Sequence, residues 1–417
     1  MTRARRRNAS RLGVWLVGAH GNVALCTVAG VRAAVRGLLP DDAGLVTEGP
    51  EFRGLGLAPL DALVFGGHET RATTALAELE SFDRRNGLFP EALRRALAAD
   101  LRAYDRAVKP GIAAGSGPAV LREASAASRR TDGDAAAAVS RIRRDLRAFR
   151  TRHRLDAAVV VNVASTEPVN GPLPKACASA AAFEAALRSG RLRGVPSSVL
   201  YAWAAIEEGM PHLNFTPSQG CGVAAVAERA LERGVPHMGR DGKTGETLLK
   251  TALAPMFVAR RLKVLAWEGY NMLGNRDGLV LDDPASRGAK VKDKDGALRR
   301  ILRDPDLHSR VRIDYVPSLD DWKTAFDFVH FRGFLGARMS LTFTWQGCDS
   351  ALAAPLVVDL VRLADFARRS GERGTLPWLA PFFKSPLGVE EQDFGRQHEM
   401  LLHRVRSASR TARTIRA

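Results

Sequence analysis

The stretch from Leu12 to Asn22 constrains the fold more than any other. A short apolar run, LGVWLV, stops at Gly18-Ala19-His20-Gly21-Asn22 and continues as VALCTVAGVRAAVRGLL with helical spacing. Strand, glycine turn and helix in that order are the opening of a dinucleotide-binding unit. A parallel sheet built from such units is covered by helices on both faces, because the crossover connections are helical. The turn lacks the full GxGxxG, so two readings stand: a pyrophosphate seat at a helix N-terminus, or a tight strand-to-helix corner. On the first reading His20 lines a cofactor cleft; on the second it is a surface histidine.

Later segments continue the alternation. Leu60 to Phe65 reads as the next buried strand, ending in Gly66 and Gly67, and Ala72 to Arg106 is helical in pattern. The Ala/Arg-rich stretch from Ala119 to His153 is a long amphipathic helix or a pair of helices. AAVVVNV, Ala157 to Val163, is the clearest buried parallel strand, and it runs into the polar turn ASTEP. Val199 to Glu208 follows as a helix and His212 to Phe215 as a short strand opening on TPSQG.

The texture changes after about Lys250. Val264 to Tyr270, Arg310 to Val316 and Arg338 to Trp345 alternate or are rich in β-branched and aromatic types, as half-buried strands are. A charge-dense loop, Arg276 to Arg299, lies among them, and a helical pattern returns from Ala351 to Arg369. The expected architecture is α/β: a Rossmann-type, doubly wound parallel sheet from residues 1–248 and 349–417, interrupted by an α+β open-sheet domain at 249–348. A length of 417 residues with 46% apolar content suits two such units.

The net charge of +17 invites a nucleic-acid or membrane partner. Its distribution argues otherwise. Residues 1–11 carry five Arg and no acid, and residues 401–417 another five Arg and no acid, which leaves +7 for the rest. No helix-turn-helix, aromatic RNA platform or zinc finger is legible, so no nucleic acid is expected. Cys26, Cys177, Cys221 and Cys348 stand far apart without a CxxC pair, which supports neither a disulfide framework nor a zinc site and suits a reducing cytoplasm. The apolar run after the first arginines is short and interrupted by His20, Gly21 and Asn22, unlike a secretory signal. No run approaches the roughly 18 residues of a membrane span.

Only ten cationic residues are Lys, and eight of them fall between Lys243 and Lys384. These lysines read either as a solvated loop or, because an ammonium transfers a proton where a guanidinium does not, as groups kept for chemistry, the reading that their retention in an Arg-dominated chain favours. GRDGKTGET, Gly239 to Thr247, precedes a helical pattern and offers N–H groups and hydroxyls to a phosphate, or simply caps the helix. GYNMLGNRDG, Gly269 to Gly278, ends a strand in a polar turn, with Lys290, Lys292 and Lys294 shortly after. FFKSP, Phe382 to Pro386, reads as an ordinary turn or as a site in which two aromatics hold one ammonium beside an apolar wall.

Taken in order, GVWLVGAHGN, VVVNVASTEP, NFTPS, GRDGKTGETLLK, GYNMLGNRDGLVL, PSLDDWK, CDSALAAPLVVDL and FFKSPLG resemble the inositol-3-phosphate synthase family, over roughly residues 12 to 400. The resemblance implies an NAD-dependent cyclase of glucose 6-phosphate, with tightly held NAD and an inserted domain used for catalysis and for homotetramer contacts. It also carries residue roles. Thr244, Gly245, Glu246 and Thr247 match the loop that holds the substrate phosphate, assisted by Lys294 and Lys323. Lys290 and Lys384 match positions at the oxidised sugar carbon. Asp241, Asn275, Asp277 and Asp349 complete the pocket, Asp277 on the cofactor side. Gly18, His20, Gly21, Asn22 and Val23 fall on the dinucleotide turn, and Ser165 and Thr166 at the strand end facing the cofactor. Ala19-His20 and Val23 depart from a more Gly- and Asn-rich turn, Arg276 replaces a frequent Asn, and Glu246 a frequent Gln. Another hexose phosphate, such as fructose 6-phosphate giving a five-membered ring, therefore stays open. So does assistance by a monovalent or divalent cation.

Overall fold

The computed structural model describes residues 11–130, 133–168, 171–275, 278 and 296–414. Asp277, Lys290 and Lys294, expected in the site, lie outside the described residues, as do Arg276 and Lys292.

Seven parallel strands form the first sheet: β1 (Leu12–Val17), β2 (Leu63–Glu69), β3 (Val108–Pro110), β4 (Ala157–Asn162), β5 (His212–Asn214), β6 (Pro236–Gly239) and β11 (Gly374–Thr375). Their order is β11-β6-β5-β4-β1-β2-β3. Leu12 faces both Leu63 and Ala157, so the strand order reverses at β1 and a crevice opens beyond the C-terminal ends of β1 and β4. Every residue of β1 and β4 is buried. Val14 and Leu16 join one core with α1 (Asn22–Val35), α2 (Ala75–Asn86), α3 (Glu91–Asp105), α10 (Asp349–Arg369) and α11 (Phe394–Thr414). Trp15 and Val17 join the opposite core with α5 (Ala135–Arg152), α6 (Ala180–Arg188), α7 (Ser197–Glu207) and α8 (Ala224–Arg233). This is the doubly wound arrangement expected, and α10 and α11 return the chain to it after the second sheet.

Two segment boundaries differ from expectation. β2 runs through Gly66 and Gly67 instead of ending there, while Leu60–Ala62 is a 3-10 turn. A Cβ on Gly67 would stand 2.2 Å from the Leu16 carbonyl oxygen, and one on Gly66 2.7 Å from the Phe149 ring. The glycines thus admit close packing inside a strand. The helical stretch from Ala72 to Arg106 divides because Gly87, at φ 67°, closes α2 in the left-handed region and Pro90 precedes α3. The stretch from Ala119 to His153 is, as one of its two readings has it, a pair of helices, α4 (Pro118–Glu123) and α5, the latter capped by Asp134, which accepts from Ala137 N at 2.9 Å.

The second sheet has the order β10-β9-β7-β8, from β7 (Lys263–Leu273), β8 (His308–Tyr315), β9 (Trp322–Arg332) and β10 (Arg338–Cys348). β7 and β8 are parallel and the other pairs antiparallel. Ala254 and Phe257 of α9 (Gly245–Ala259) pack on Trp267 and Val329 of its inner face. The outer face leaves Phe326 and Phe328 exposed. β10 runs straight into α10, so this sheet delivers Lys323 and Asp349 to the crevice of the first.

Candidate active site

One cleft of about 370 Å³ runs from the end of β2, past the β1 turn and the ends of β4 and β5, to Asp241, Asp349 and Lys384. At its first end the chain turns at Gly18, whose φ of 87° and whose missing Cβ, 2.7 Å from Ala164 Cα, both require glycine. Gly18 N and Ala19 N donate to His68 O at 2.9 and 3.0 Å. α1 then begins at Asn22 with no side-chain cap on its first amides. Gly18, Gly21, Asn22 and Val23 line the cleft, as do Ser165 and Thr166 beyond β4. Asn162 Nδ2 ties the β4 end to β5 by donating to Asn214 Oδ1 at 3.1 Å and Thr216 Oγ1 at 3.2 Å.

His20 is not a surface histidine. It is buried, lines the cleft, and holds Nε2 2.9 Å from Asp105 Oδ1. Its backbone N donates to Glu69 Oε2 at 2.9 Å. Glu69 itself is a cleft residue that motif reading passed over. Burial alone would raise its carboxyl, but the Arg71 guanidinium and N–H, with the His20 N–H, outweigh burial and hold it below its ordinary value. The usable signal was an acid at the end of the second strand of a dinucleotide unit.

The substrate-side residues converge through an antiparallel zip between two loops. Lys243 N donates to Phe382 O at 2.8 Å, Lys384 N to Asp241 O at 2.7 Å, Arg240 N to Ser385 O at 3.0 Å and Leu387 N to Gly239 O at 2.8 Å. The zip brings Lys384 Nζ to 2.8 Å from Asp241 Oδ1, with both side chains buried. The second carboxylate oxygen of Asp241 is buried and meets no hydrogen-bond partner among the described residues. Across the cleft Thr244 Oγ1 donates to Asp349 Oδ1 at 3.2 Å, and Lys323 Nζ lies 3.5 Å from Asp349 Oδ2. α9 starts at Gly245 without a side-chain cap, and Gly245 and Thr247 are buried in its first turn. Glu246, expected to touch substrate, turns the other way. Its carboxylate is 2.6 Å from Lys250 Nζ, one helical turn on, which lies 3.2 Å from Asp327 on β9. The helix face that rests on the second sheet claims it.

Asp321 also escaped notice, although it lies in the quoted PSLDDWK. Its carboxylate accepts from Asn275 Nδ2 at 2.8 Å, Ser350 N at 2.8 Å, Ser350 Oγ at 3.0 Å and Asn22 Nδ2 at 3.4 Å. One buried side chain thus ties the dinucleotide turn to the loop after β7 and the start of α10. Only tertiary structure reveals that role. Among the described residues no cluster of three or more His, Cys, Asp or Glu is placed to hold a metal, and no helix is long and apolar enough to cross a membrane.

Known proteins share this architecture. Residues 12–406 match the family model described as myo-inositol-1-phosphate synthase. Inositol-3-phosphate synthase 1 of Bacteroides thetaiotaomicron is 38% identical over 268 residues, which cover 63% of this chain and 61% of that protein. The inositol-3-phosphate synthase of Drosophila melanogaster is 33% identical over 253 residues, 58% of this chain and 44% of that protein. The matched part is thus about half to three fifths of these curated relatives' length. The crystal structure of inositol-3-phosphate synthase from Caenorhabditis elegans shares the fold with a TM-score of 0.84 at 24% identity, over 96% of this chain and 86% of that one. With the family match running through both sheets and every described site residue, the chain belongs to the myo-inositol-1-phosphate synthase family.

Proposed function

We propose that the chain is an NAD-dependent sugar-phosphate cyclase converting glucose 6-phosphate to myo-inositol 3-phosphate. The observation that carries this reading is the continuity of one cleft from a dinucleotide turn to a buried lysine–carboxylate pair. The residues fit NAD: Gly18 leaves room for close backbone approach, the uncapped amides of α1 suit a pyrophosphate, and Glu69 ends the strand beside the ribose position. Bound there, NAD would accept a hydride from the sugar and later return it, so that the net reaction is an isomerisation.

The chain's own groups account for the rest. The Thr244 hydroxyl, the α9 amides and Lys323 hold the phosphate and fold the sugar towards attack geometry. The Lys384–Asp241 pair takes the hydroxyl proton as the carbon is oxidised, Lys384 passing one of its own protons to the Asp241 carboxylate, and the ammonium stands ready to stabilise the developing enolate oxygen. Intramolecular attack on the aldehyde closes the ring. Family resemblance adds Lys290 and Lys294 to this cluster and Asp277 to the cofactor side. We assign residues 1–248 and 349–417 to the NAD domain and 249–348 to the catalytic insert. The exposed Phe326 and Phe328 face and the Phe334-Leu335 tip suit homotetramer contacts, and four free buried cysteines suit the cytoplasm.

Incubation with NAD and each of glucose 6-phosphate and fructose 6-phosphate, read by phosphorus NMR, tests the reading. We expect a cyclitol phosphate from glucose 6-phosphate without net NADH. Turnover of fructose 6-phosphate alone would replace the substrate, and steady NADH would mark a simple dehydrogenase. Asp321→Ala should weaken NAD and sugar-phosphate binding together, each about 30-fold, since it removes hydrogen bonds to a charged group worth about 2 kcal/mol. Calorimetric titration of each ligand checks this; loss confined to one ligand would contradict the bridging role.

A further inference from the structure

Lys243 lies between two cleft residues in sequence, Asp241 and Thr244, yet its side chain leaves the cleft. It is 2% exposed, and its Nζ donates to Gln397 Oε1 on α11. Gln397 has no freedom to turn: its Nε2 donates to Glu391 O at 2.5 Å and its backbone N to Asp393 O at 2.9 Å, so the amide oxygen faces the lysine. The Phe394 ring closes the pocket 6.0 Å from Nζ. Among the described residues no carboxylate comes within ion-pair distance of Nζ. At the other end, Lys243 N is one bond of the zip that sets Lys384 beside Asp241.

We propose that Lys243 and Gln397 form a latch that positions Asp241 and Lys384, an inference that rests on the function proposed above. The loop is held from behind by a side chain anchored in α11 while its neighbours face the cleft. Charge governs how firmly. Burial pushes the Lys243 ammonium down to about 7; Asp393 at the start of α11 opposes this and Lys384 on the facing loop adds to it. At neutral pH and above, an amine bonded to an amide oxygen is a good fit. Below that, a second ammonium is forced beside Lys384 with a neutral amide as its partner, and the zip loosens.

The test compares the full-length protein with Lys243→Met and Gln397→Glu, each loaded with NAD. Wild-type kcat should fall on the acid side with a limb near pH 7. Lys243→Met should lower kcat about 10- to 100-fold, as a misplaced catalytic group does, with KM little changed and that limb gone. Gln397→Glu supplies a counter-charge, keeps Lys243 protonated to higher pH and, by pairing that ammonium, should remove the acid limb from kcat. If both variants lose only thermal stability and keep the wild-type kcat and limb, the latch is wrong. Labelled-lysine NMR is tractable with ten lysines and needs no turnover. A signal missing in Lys243→Met should titrate near 7 and move up in Gln397→Glu; titration at about 10.4 in wild type overturns the proposal. A wild type that turns over no hexose phosphate refutes the function reading, while the lysine signal still decides the latch.

Discussion

Lys384→Met is expected to lower hexose-phosphate turnover by about 10³-fold while NAD stays bound, the scale of a lost general acid–base group. Among the described residues no other ammonium contacts Asp241 in place of its Nζ, which donates to Asp241 Oδ1 at 2.8 Å from a side chain 5% exposed. The substitution also strands Asp241. With one oxygen already unpartnered among the described residues and the other losing its cation, a buried carboxylate without a counter-charge costs about 3–5 kcal/mol. Two effects are therefore mixed in one variant. Lys384→Arg separates them, because a guanidinium still pairs with Asp241 but does not give up its proton. It should recover most of the melting temperature and little of the turnover. Single-turnover product by phosphorus NMR, beside thermal unfolding, gives both quantities. Full turnover in Lys384→Arg would show that charge alone is needed and that Lys384 moves no proton.

The parts of this fold that sequence discloses are those where one physical signal dominates. β1 and β4 are buried on both faces, so LGVWLV and AAVVVN are continuous apolar runs, and the Gly18 turn follows where a helix must start. β3, β6 and β11 are only three, four and two residues long, too short for any period. β9 carries aromatics outward and Lys323, Ala325, Asp327 and Val329 inward, so its polarity pattern opposes the usual one and no strand was expected there. The site divides in the same way. Local motifs pointed to Thr244 and Lys384 because their loops combine Gly, Lys and hydroxyl residues, and family resemblance added Asp241. Asp321, Glu69 and the Lys243–Gln397 bond depend on partners 2 to about 300 residues away. The direction of Glu246 depends on which face of α9 meets the second sheet, which a motif spelled in one dimension does not contain.

A second large effect concerns stability in acid. His212 on β5 and His237 on β6 are register neighbours, both buried, and their ring nitrogens make no hydrogen bond among the described residues. Burial, with repulsion from His237 added, pushes His212 down to about 3, and burial pushes His237 down to about 4. Unfolding returns each ring to about 6.5, so below that pH the unfolded chain binds protons that the fold refuses. The contribution to stability is complete above about 6.5 and is lost as pH falls towards the folded values. By pH 4 the pair should have cost about 6 kcal/mol, a large share of the 5–15 kcal/mol of an ordinary domain. Buried carboxyls work in the opposite sense: Asp359, pushed up to about 6 by burial, takes up its proton more readily folded than unfolded and adds stability as pH falls. The informative quantity is therefore the difference between wild type and His212→Leu/His237→Leu, in which the carboxyl contributions cancel. Urea midpoints at several pH values from 7.5 to 4.5 should fall more steeply in wild type than in the double variant. Parallel curves would mean that the two rings already bind protons in the folded state, and that the interior between β5 and β6 admits charge.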